Sequence, residues 1–258
     1  MVQILTLLSI LLLFACTHQT ERNTETSFQT TSSIDSIYQK PDKVEESNNE
    51  AKLIIPDELF LDTITIFDSS KALTINIILP KSKNENLFAA DRLLTTIINE
   101  MKEEFIKNVD KMLKEDKTML QSASGNTFHV WPEELYKEEN TLSFLLVINI
   151  QHAGAAHPKT DYYSFNYDIE KQEKLNFSNY FTIETKIDSV YLLNKINLYF
   201  NDRDIRTEKL YDFDFNFNKQ TIYFNFDDYE IASYAYGRKR AEFDKKELFE
   251  YISKNYRQ

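Results

Sequence analysis

Two of the chain's four histidines lie in one short stretch, residues 151–161, which reads QHAGAAHPKTD. Imidazole is the commonest metal ligand and general base near neutral pH. His152 and His157 are five residues apart, whereas two ligands on one helix face need a spacing of about three or four. Asp161 is the one further ligand type nearby. The pattern therefore does not favour a metal site, and we expect no cofactor.

Two other interpretations of this stretch remain open. His157 could act as a general base with the carboxylate of Asp161 or of Asp228, which is the chemistry of a hydrolase, although no Ser or Cys nucleophile follows in a strained turn. Alternatively, the small residues 154–156 and Pro158 are typical of a turn between two strands. In that turn His157 would make local hydrogen bonds, and binding rather than catalysis is our expectation.

The N-terminus has the pattern of an export signal. Residues 4–14 form an apolar run that is too short to span a bilayer but suits the core of a signal peptide. Ala15 and Cys16 follow it, and this ending resembles the lipobox of bacterial lipoproteins, in which the thiol is lipidated and the peptide is cut before it. Cys16 is the only cysteine, so lipidation also accounts for a thiol that would otherwise be reactive. Residues 1–16 are therefore interpreted as a lipoprotein signal peptide.

A polar segment separates this signal from the folded part of the chain. Residues 17–52 are rich in Thr, Ser, Asn, Gln and Glu and show no apolar period, which is typical of disorder. A flexible coil of this length has a root-mean-square reach of about 30 to 35 Å. The segment is therefore predicted to be a tether that holds a domain clear of a membrane.

The elements that must position the histidines begin with a strand pair. Residues 59–67 and 72–79 alternate apolar and polar residues, and Pro80 is expected to end the second strand. Apolar residues over 87–113 recur at helical spacing, which predicts an amphipathic helix. A strand follows, and then a nearly continuous apolar run over 142–150 that is typical of the interior of a sheet.

The second half of the folded part shows a similar order. A strand is predicted over 163–169, with Ser164, Asn166 and Asp168 on a solvent-facing side and 174–181 as its partner strand. A helix is then predicted over 182–200, followed by an antiparallel strand pair over 213–217 and 222–226. A last strand is predicted over 239–243, and a short helix from 244 onward that is opened by a capping box at Asp244 and Glu247.

Together these segments predict an α+β fold. We expect antiparallel sheets, one long helix in each of two α+β halves, and a short C-terminal helix. The halves are assigned to residues 53–135 and 136–258.

The charge balance restricts the partners. There are 41 acidic and 30 basic residues, and the net charge is −11. Nucleic-acid binding needs basic patches that neutralise phosphates, so this composition argues against it. An acidic surface serves solubility and also favours cationic partners.

Two segments carry a resemblance to a known family. GAAHP at 154–158, with YYSFNYDIEKQEKLNFSNYF after it, and FNFDDYEIASYAYGRKRAEFDKKEL at 224–248 resemble motifs of the RsiV/PdaC-like envelope domain family. Its C-terminal RsiV-like domain has long been catalogued as of unknown function. The resemblance covers about residues 140–252, and residues 64–113 are similar in layout to the companion domain that usually precedes it.

The resemblance implies a binding module in the bacterial cell envelope, and the lipobox at Cys16 predicts that it is lipid-anchored at the periplasmic or outer-membrane face. Its implied ligand is a lysozyme-like protein or peptidoglycan, and the alternative is a hydrolase of cell-wall glycan that uses His157 and a carboxylate. Tyr and Arg are common interface anchors, although alternating tyrosines also pack within sheets. The candidate ligand-binding residues are His157, Pro158, Tyr229, Tyr234, Tyr236 and Arg238.

Overall fold

The described part of the chain consists of two sheets with helices packed against them, which confirms the predicted α+β class. The computed structural model describes residues 53–122, 124–183, 186–200, 213–227, 229–233 and 236–257. Five sequence predictions lie outside these residues: the signal peptide over 1–16, the lipidation site Cys16, the tether, Asp228 and Tyr234. Among the described helices, none has both the length and the apolar character needed to cross a membrane.

The larger sheet has six strands arranged in chain order. All neighbouring strands are antiparallel except the second and third, which are parallel and are connected across helix α1, Phe88–Glu115. The strands are β1 Leu59–Asp68, β2 Leu73–Ser82, β3 Asn126–Lys137, β4 Thr141–Gln151, β5 Lys159–Asp168 and β6 Glu173–Leu175.

Helix α1 covers one face of this sheet and forms the first apolar core. Its residues Leu94, Ile98, Phe105 and Val109 are buried at steps of four and seven residues, which is the spacing of one face of an amphipathic helix. The sheet contributes side chains from its central strands, including Ile75, Ile77, Phe128, Phe144 and Phe165. The helix predicted from periodicity over 87–113 is therefore confirmed.

The smaller sheet forms a second core that is rich in aromatic rings. It consists of β7 Asp214–Phe217, β8 Thr221–Phe226 and β9 Lys239–Asp244, all antiparallel. Helices α2, Phe177–Tyr180, and α3, Lys186–Phe200, contribute Phe177, Tyr180, Leu192 and Ile196 to this core. The sheet contributes one face of alternating residues: Phe213, Phe215, Phe217, Ile222, Phe224, Ala241 and Phe243.

A layer of buried polar side chains lies between the two sheets. The sequence predicted that Ser164, Asn166 and Asp168 of β5 face solvent, and this is wrong, because only 3%, 1% and 4% of these residues is exposed. This face of β5 packs toward the smaller sheet, where the Asn166 amide donates to the carbonyl oxygen of Phe215 over 2.6 Å. Hydrogen bonds replace water for these groups, so a polar face can be buried.

Two strand predictions need correction. β2 continues past Pro80 to Ser82. Beyond Ile77 it pairs with β1 and no longer with β3, so the missing proline N–H interrupts no ladder on the β3 side. The expected partner strand over 174–181 is short: β6 ends at Leu175, and a capping box of Asn176 and Asn179 then starts α2.

The C-terminal helix is a 3₁₀ helix, Lys245–Tyr251. Asp244 caps it by accepting from the amide of Lys246, and not through the predicted capping box with Glu247. The boundary predicted between the two halves, after residue 135, falls inside β3, so both halves contribute strands to the larger sheet. The division into halves remains a prediction.

Candidate functional site

The histidine-containing stretch connects β4 to β5. The amide of Ala155 donates to the carbonyl oxygen of His152 over 3.0 Å, which closes a turn. Gly154 has a φ of +83°, and a Cβ there would come within 3.1 Å of the sulfur of Met119. A side chain at this position would be strained and crowded. The interpretation of this segment as a turn between strands is confirmed.

His157 and Tyr229 meet although they are far apart in sequence. The Tyr229 hydroxyl lies 3.4 Å from His157 Nε2, and His157 Nδ1 lies 2.9 Å from the carbonyl oxygen of Pro158. The contact with Pro158 places the proton of a neutral imidazole on Nδ1, which leaves Nε2 to accept from the tyrosine. The structure therefore brings together three of the predicted site residues.

Tyr229 has a backbone conformation that is uncommon for its residue type. Its φ is +70°, and such left-handed geometry in a bulky residue is strained. The turn around it is closed by Glu230, whose amide donates to the carbonyl oxygen of Asp227 and whose carboxylate accepts from the Asp227 amide. Strain of this kind is concentrated at functional sites, and here it accompanies a tyrosine that is 59% exposed.

The structure also has a cleft of about 410 Å³. Two of its lining residues, Lys159 and Asp227, are each two positions along the sequence from His157 or Tyr229. Apolar side chains of α1 and the sheet form much of the lining, with polar groups from β5 and the loops. The lining residues discussed below are Phe105, His152, Lys159, Asp161, Tyr162 and Asp227.

Two carboxylates give the cleft its chemistry. Burial raises the pKa of Asp227 to about 6, and the nearby charge of Asp161 adds to this. Oδ2 of Asp161 accepts from the Lys159 ammonium over 2.8 Å. Its Oδ1 is shielded from solvent and has no hydrogen-bond partner among the described residues. Asp161 therefore retains an acceptor that a ligand could use.

Asp227 also closes the open edge of β5. The amide of Tyr162 donates to Asp227 Oδ1 over 2.7 Å, and the amide of Ser164 donates to Asp214 Oδ2 over the same distance. These amides point away from β4, on the side that β6 reaches only from Asn166 onward. Carboxylates thus take the place of a neighbouring strand.

His152 belongs to the inner part of the cleft. Its ring lies 5.1 Å from that of Phe105, and burial lowers its pKa. Its Nδ1 is shielded and without a hydrogen-bond partner among the described residues. A neutral imidazole at this depth offers hydrogen bonding without adding positive charge.

Two further predicted residues, Arg238 and Tyr236, lie just before β9 of the smaller sheet. The Arg238 guanidinium stacks over the ring of Tyr162 at 4.4 Å and forms an ion pair with Glu133. Tyr236 is 44% exposed, and the Lys239 ammonium lies 5.3 Å from its ring centre. Arg238 is thus connected to the cleft through Tyr162.

Sequence reasoning missed two carboxylates that bind the outward amides of β5, Asp227 and Asp214, of which Asp227 lines the cleft. Asp227 directly follows the predicted strand over 222–226, a position that by itself indicates only a strand end. The signal for Asp214 was the polar alternation within 213–217, which resembles a solvent-facing pattern. Within the described ranges, no three His, Cys, Asp or Glu side chains are grouped so that they could hold a metal ion.

The arrangement suits recognition of a cation. Apolar and polar side chains line the cleft together, Asp161 Oδ1 has no hydrogen-bond partner among the described residues, and burial raises the pKa of Asp227 to about 6. A lysine or arginine side chain combines an aliphatic stem with a charged head, so its stem could contact the apolar side chains and its head the carboxylates.

Comparisons with known proteins relate the chain to a bacterial family by fold. A DUF3298 family protein from Pseudomonas aeruginosa PAO1 matches with a TM-score of 0.54 and 15% identity, over 77% of this chain and 96% of the other. A DUF3298 family member from Bacteroides fragilis matches with a TM-score of 0.49 and 18% identity, over 76% and 94%. No protein-family model and no curated protein matches the sequence. The first of these likenesses shows that the chain has the fold of a bacterial DUF3298 family protein.

Proposed function

We propose that the chain is a lipid-anchored cell-envelope binding protein that recognises a cationic, lysozyme-like protein through the cleft between α1 and β5. The observation that carries the proposal is the pair of carboxylates, Asp161 and Asp227, that line the cleft together with apolar side chains of α1 and the sheet, with Asp161 Oδ1 unpartnered among the described residues. An incoming ammonium or guanidinium group would satisfy Asp161 Oδ1 and favour the charged form of Asp227. The net charge of −11 favours encounter with a basic protein.

Residues outside the lining of the cleft provide further anchors for a protein partner. Tyr229 and Tyr236 are exposed, and Arg238 is held over Tyr162 in a fixed orientation. Tyr and Arg dominate the energetics of many interfaces because they are large and lose little conformational freedom. His157 and Pro158 lie beside Tyr229.

The envelope location rests on the N-terminal sequence and on the resemblance to the RsiV/PdaC-like family. Cleavage before Cys16 and lipidation of its thiol would anchor the domain through the 17–52 tether. Expression of the full chain in a bacterial host should place it in the membrane fraction. Cys16→Ser should abolish acyl labelling, and a wild-type chain that stays unlabelled in the cytosol would refute the anchor.

Binding is tested with the polypeptide of residues 17–258, which lacks the lipidation site Cys16, and with hen egg-white lysozyme. Asp161→Asn with Asp227→Asn should weaken binding at least tenfold, because both negative charges leave the cleft. The matched control is Asp62→Asn with Glu170→Gln, which removes the same charge at exposed positions elsewhere and should keep most of the affinity. If both variants lost the same affinity, the interaction would depend on the net charge of the protein and not on the cleft. Retention on peptidoglycan sacculi but not on lysozyme would assign the wall polymer as the ligand.

A second function is favoured by one observation. A carboxyl group with its pKa raised to about 6 beside a second carboxylate resembles the acid and base pair of glycan hydrolysis. The sequence alternative, a hydrolase that uses His157 and a carboxylate, could recruit either member of this pair. Release of soluble fragments from sacculi, lost in Asp227→Asn or His157→Ala, would establish hydrolysis. Unchanged sacculi together with lysozyme binding would leave recognition as the function.

A further inference from the structure

The two ends of the six-stranded sheet are built differently. At one end β6 has only three residues, and the part of β5 beyond it has its outward amides bound by Asp214 and Asp227. At the other end β1 runs for ten residues with β2 on one side and no described strand on the other. One edge is therefore closed against a further strand, and the other is left open.

Strand β1 lacks most of the features that normally protect an edge, and its only charged residues are Asp62 and Asp68. It contains no Lys, Arg or Pro, and its register with β2 is unbroken from Leu59–Ser82 to Asp68–Leu73. Natural proteins usually blunt such edges with lysine, proline, bulges or short strands. The apolar side chains Phe60, Ile64, Ile66 and Phe67 are exposed, and 77% of Phe67 is accessible.

We propose that β1 is the interface through which two copies of this chain pair, antiparallel, into one continuous sheet. A two-fold axis perpendicular to the sheet makes the contact isologous, so each copy uses the same strand. Such an axis keeps both α1 helices on the same side of the joined sheet. This inference is independent of the proposed ligand, because β1 forms one edge of the sheet and β5 lies near the opposite edge.

Charge selects the register of this pairing. If the axis passes through Thr65, Asp62 lies opposite Asp68 of the other copy, and an axis through Thr63 brings Asp68 opposite Glu58. Like charges directly opposite each other destabilise a strand pair. An axis through Ile64 avoids both conflicts. It places Thr63 opposite Thr65, and every carboxylate faces an uncharged residue.

The side chains on the helix side also favour this register. Ile64 and Ile66 lie opposite Ile77 and Ile75 of β2, on the face that α1 covers, yet they remain partly exposed at the sheet edge. In the proposed pair Ile64 meets its own copy and loses this exposure. A ten-residue strand is about 34 Å long and offers about ten backbone hydrogen bonds. This contact is at the small end of specific interfaces, so we expect a dissociation constant of about micromolar strength.

The pairing is tested by sedimentation velocity on residues 17–258 over a range of concentrations. The wild-type polypeptide should shift from monomer to dimer, and Thr63→Lys with Thr65→Lys should remain monomeric at every concentration. Both threonines are exposed, so the fold should tolerate lysine, and circular dichroism checks this. The charge-matched control, Thr96→Lys with Gln121→Lys at exposed positions elsewhere, should dimerise as the wild type does.

Cross-linking tests the register. Cys16 is the only cysteine, so the 17–258 polypeptide is free of thiols. Ile64→Cys should form a covalent dimer on oxidation, whereas Ile66→Cys should not, because its two copies would be about 14 Å apart in this register. A wild-type chain that is monomeric throughout, a dimer that survives the lysine pair, or cross-linking at 66 but not at 64 would overturn the proposal.

Discussion

The backbone amide of Tyr162 donates to the carboxylate of Asp227 across 2.7 Å, which ties β5 to the residue that follows β8. The bond serves two purposes. It satisfies an amide at an open sheet edge, and it holds a carboxylate at the cleft where burial raises its pKa. The acidic site therefore depends on how the two sheets are joined.

This amide should report the ionisation of Asp227. Because burial raises the pKa of Asp227 to about 6, the carboxylate accepts from Tyr162 as an anion above that pH and as a neutral acid below it. The ¹H shift of the Tyr162 amide should therefore titrate with a midpoint near 6, and Asp227→Asn should abolish the titration. A midpoint near 4 would mean that the carboxylate is well solvated.

Asp214 should make folding stability depend on pH. Burial raises its pKa from 3.8 to about 7, so the folded chain holds this proton more tightly than the unfolded chain does. The stabilisation is complete below about pH 4 and is lost as pH rises through 7. Asp214→Asn removes the titration while keeping an acceptor for the Ser164 amide.

The measurement is urea unfolding at pH 5 and pH 8. The wild type should lose more stability over this interval than Asp214→Asn, by on the order of 2 kcal/mol. Asp62→Asn, at an exposed position, is the control and should keep the wild-type difference. The same difference in all three proteins would show that Asp214 does not titrate in this range.

The polar layer between the sheets should be costly to disrupt. Asn166 donates to the carbonyl oxygen of Phe215 over 2.6 Å and accepts from the Ser143 hydroxyl over 2.7 Å, both in a buried setting. Asn166→Ala leaves these partners unsatisfied, so the free energy of unfolding should fall by about 1–3 kcal/mol. Asn149→Ala is the comparison, because Asn149 is half-buried and donates to Thr160. Chemical denaturation measures both variants. If Asn166→Ala and Asn149→Ala lowered the free energy of unfolding equally, the buried hydrogen bonds of Asn166 would not contribute more than half-buried ones.

Tyr229 is expected to lower the folding stability of the chain while contributing to ligand binding. Its φ of +70° suits glycine, so Tyr229→Gly should raise the free energy of unfolding by about 1 kcal/mol and weaken lysozyme binding. Tyr229→Phe keeps the ring and removes only the hydroxyl near His157, so it should bind with intermediate affinity. Calorimetric melting and titration measure both properties, and a destabilised glycine variant with full affinity would argue against this role.

Helices and strands that bury a row of apolar side chains can be predicted from the sequence. The period of α1 and the apolar run of β4 identify both, because each packs against the same core. The prediction that Ser164, Asn166 and Asp168 face solvent is wrong because buried polar residues can alternate along a strand in the same way as solvent-exposed ones. The sequence around them does not indicate that a second polar surface covers this face of β5. The fold class is thus readable from pattern, but the contents of the layer between the sheets are not.

The site is even less visible in sequence. His157 and Tyr229 were chosen separately, and only the fold brings them to 3.4 Å across 72 positions. Asp227 gains its raised pKa from burial beside Asp161 and from its place at the edge of β5. These are tertiary effects that spacing along the chain cannot encode.

The most direct test is an NMR titration of ¹⁵N-labelled residues 17–258 with unlabelled hen egg-white lysozyme. Recognition through the cleft predicts that the amides of Lys159, Asp161, Tyr162, Asp227 and Tyr229 shift or broaden first, and that Asp161→Asn with Asp227→Asn suppresses these changes. Perturbations confined to other surfaces, or a spectrum unchanged at saturating lysozyme, would contradict the account.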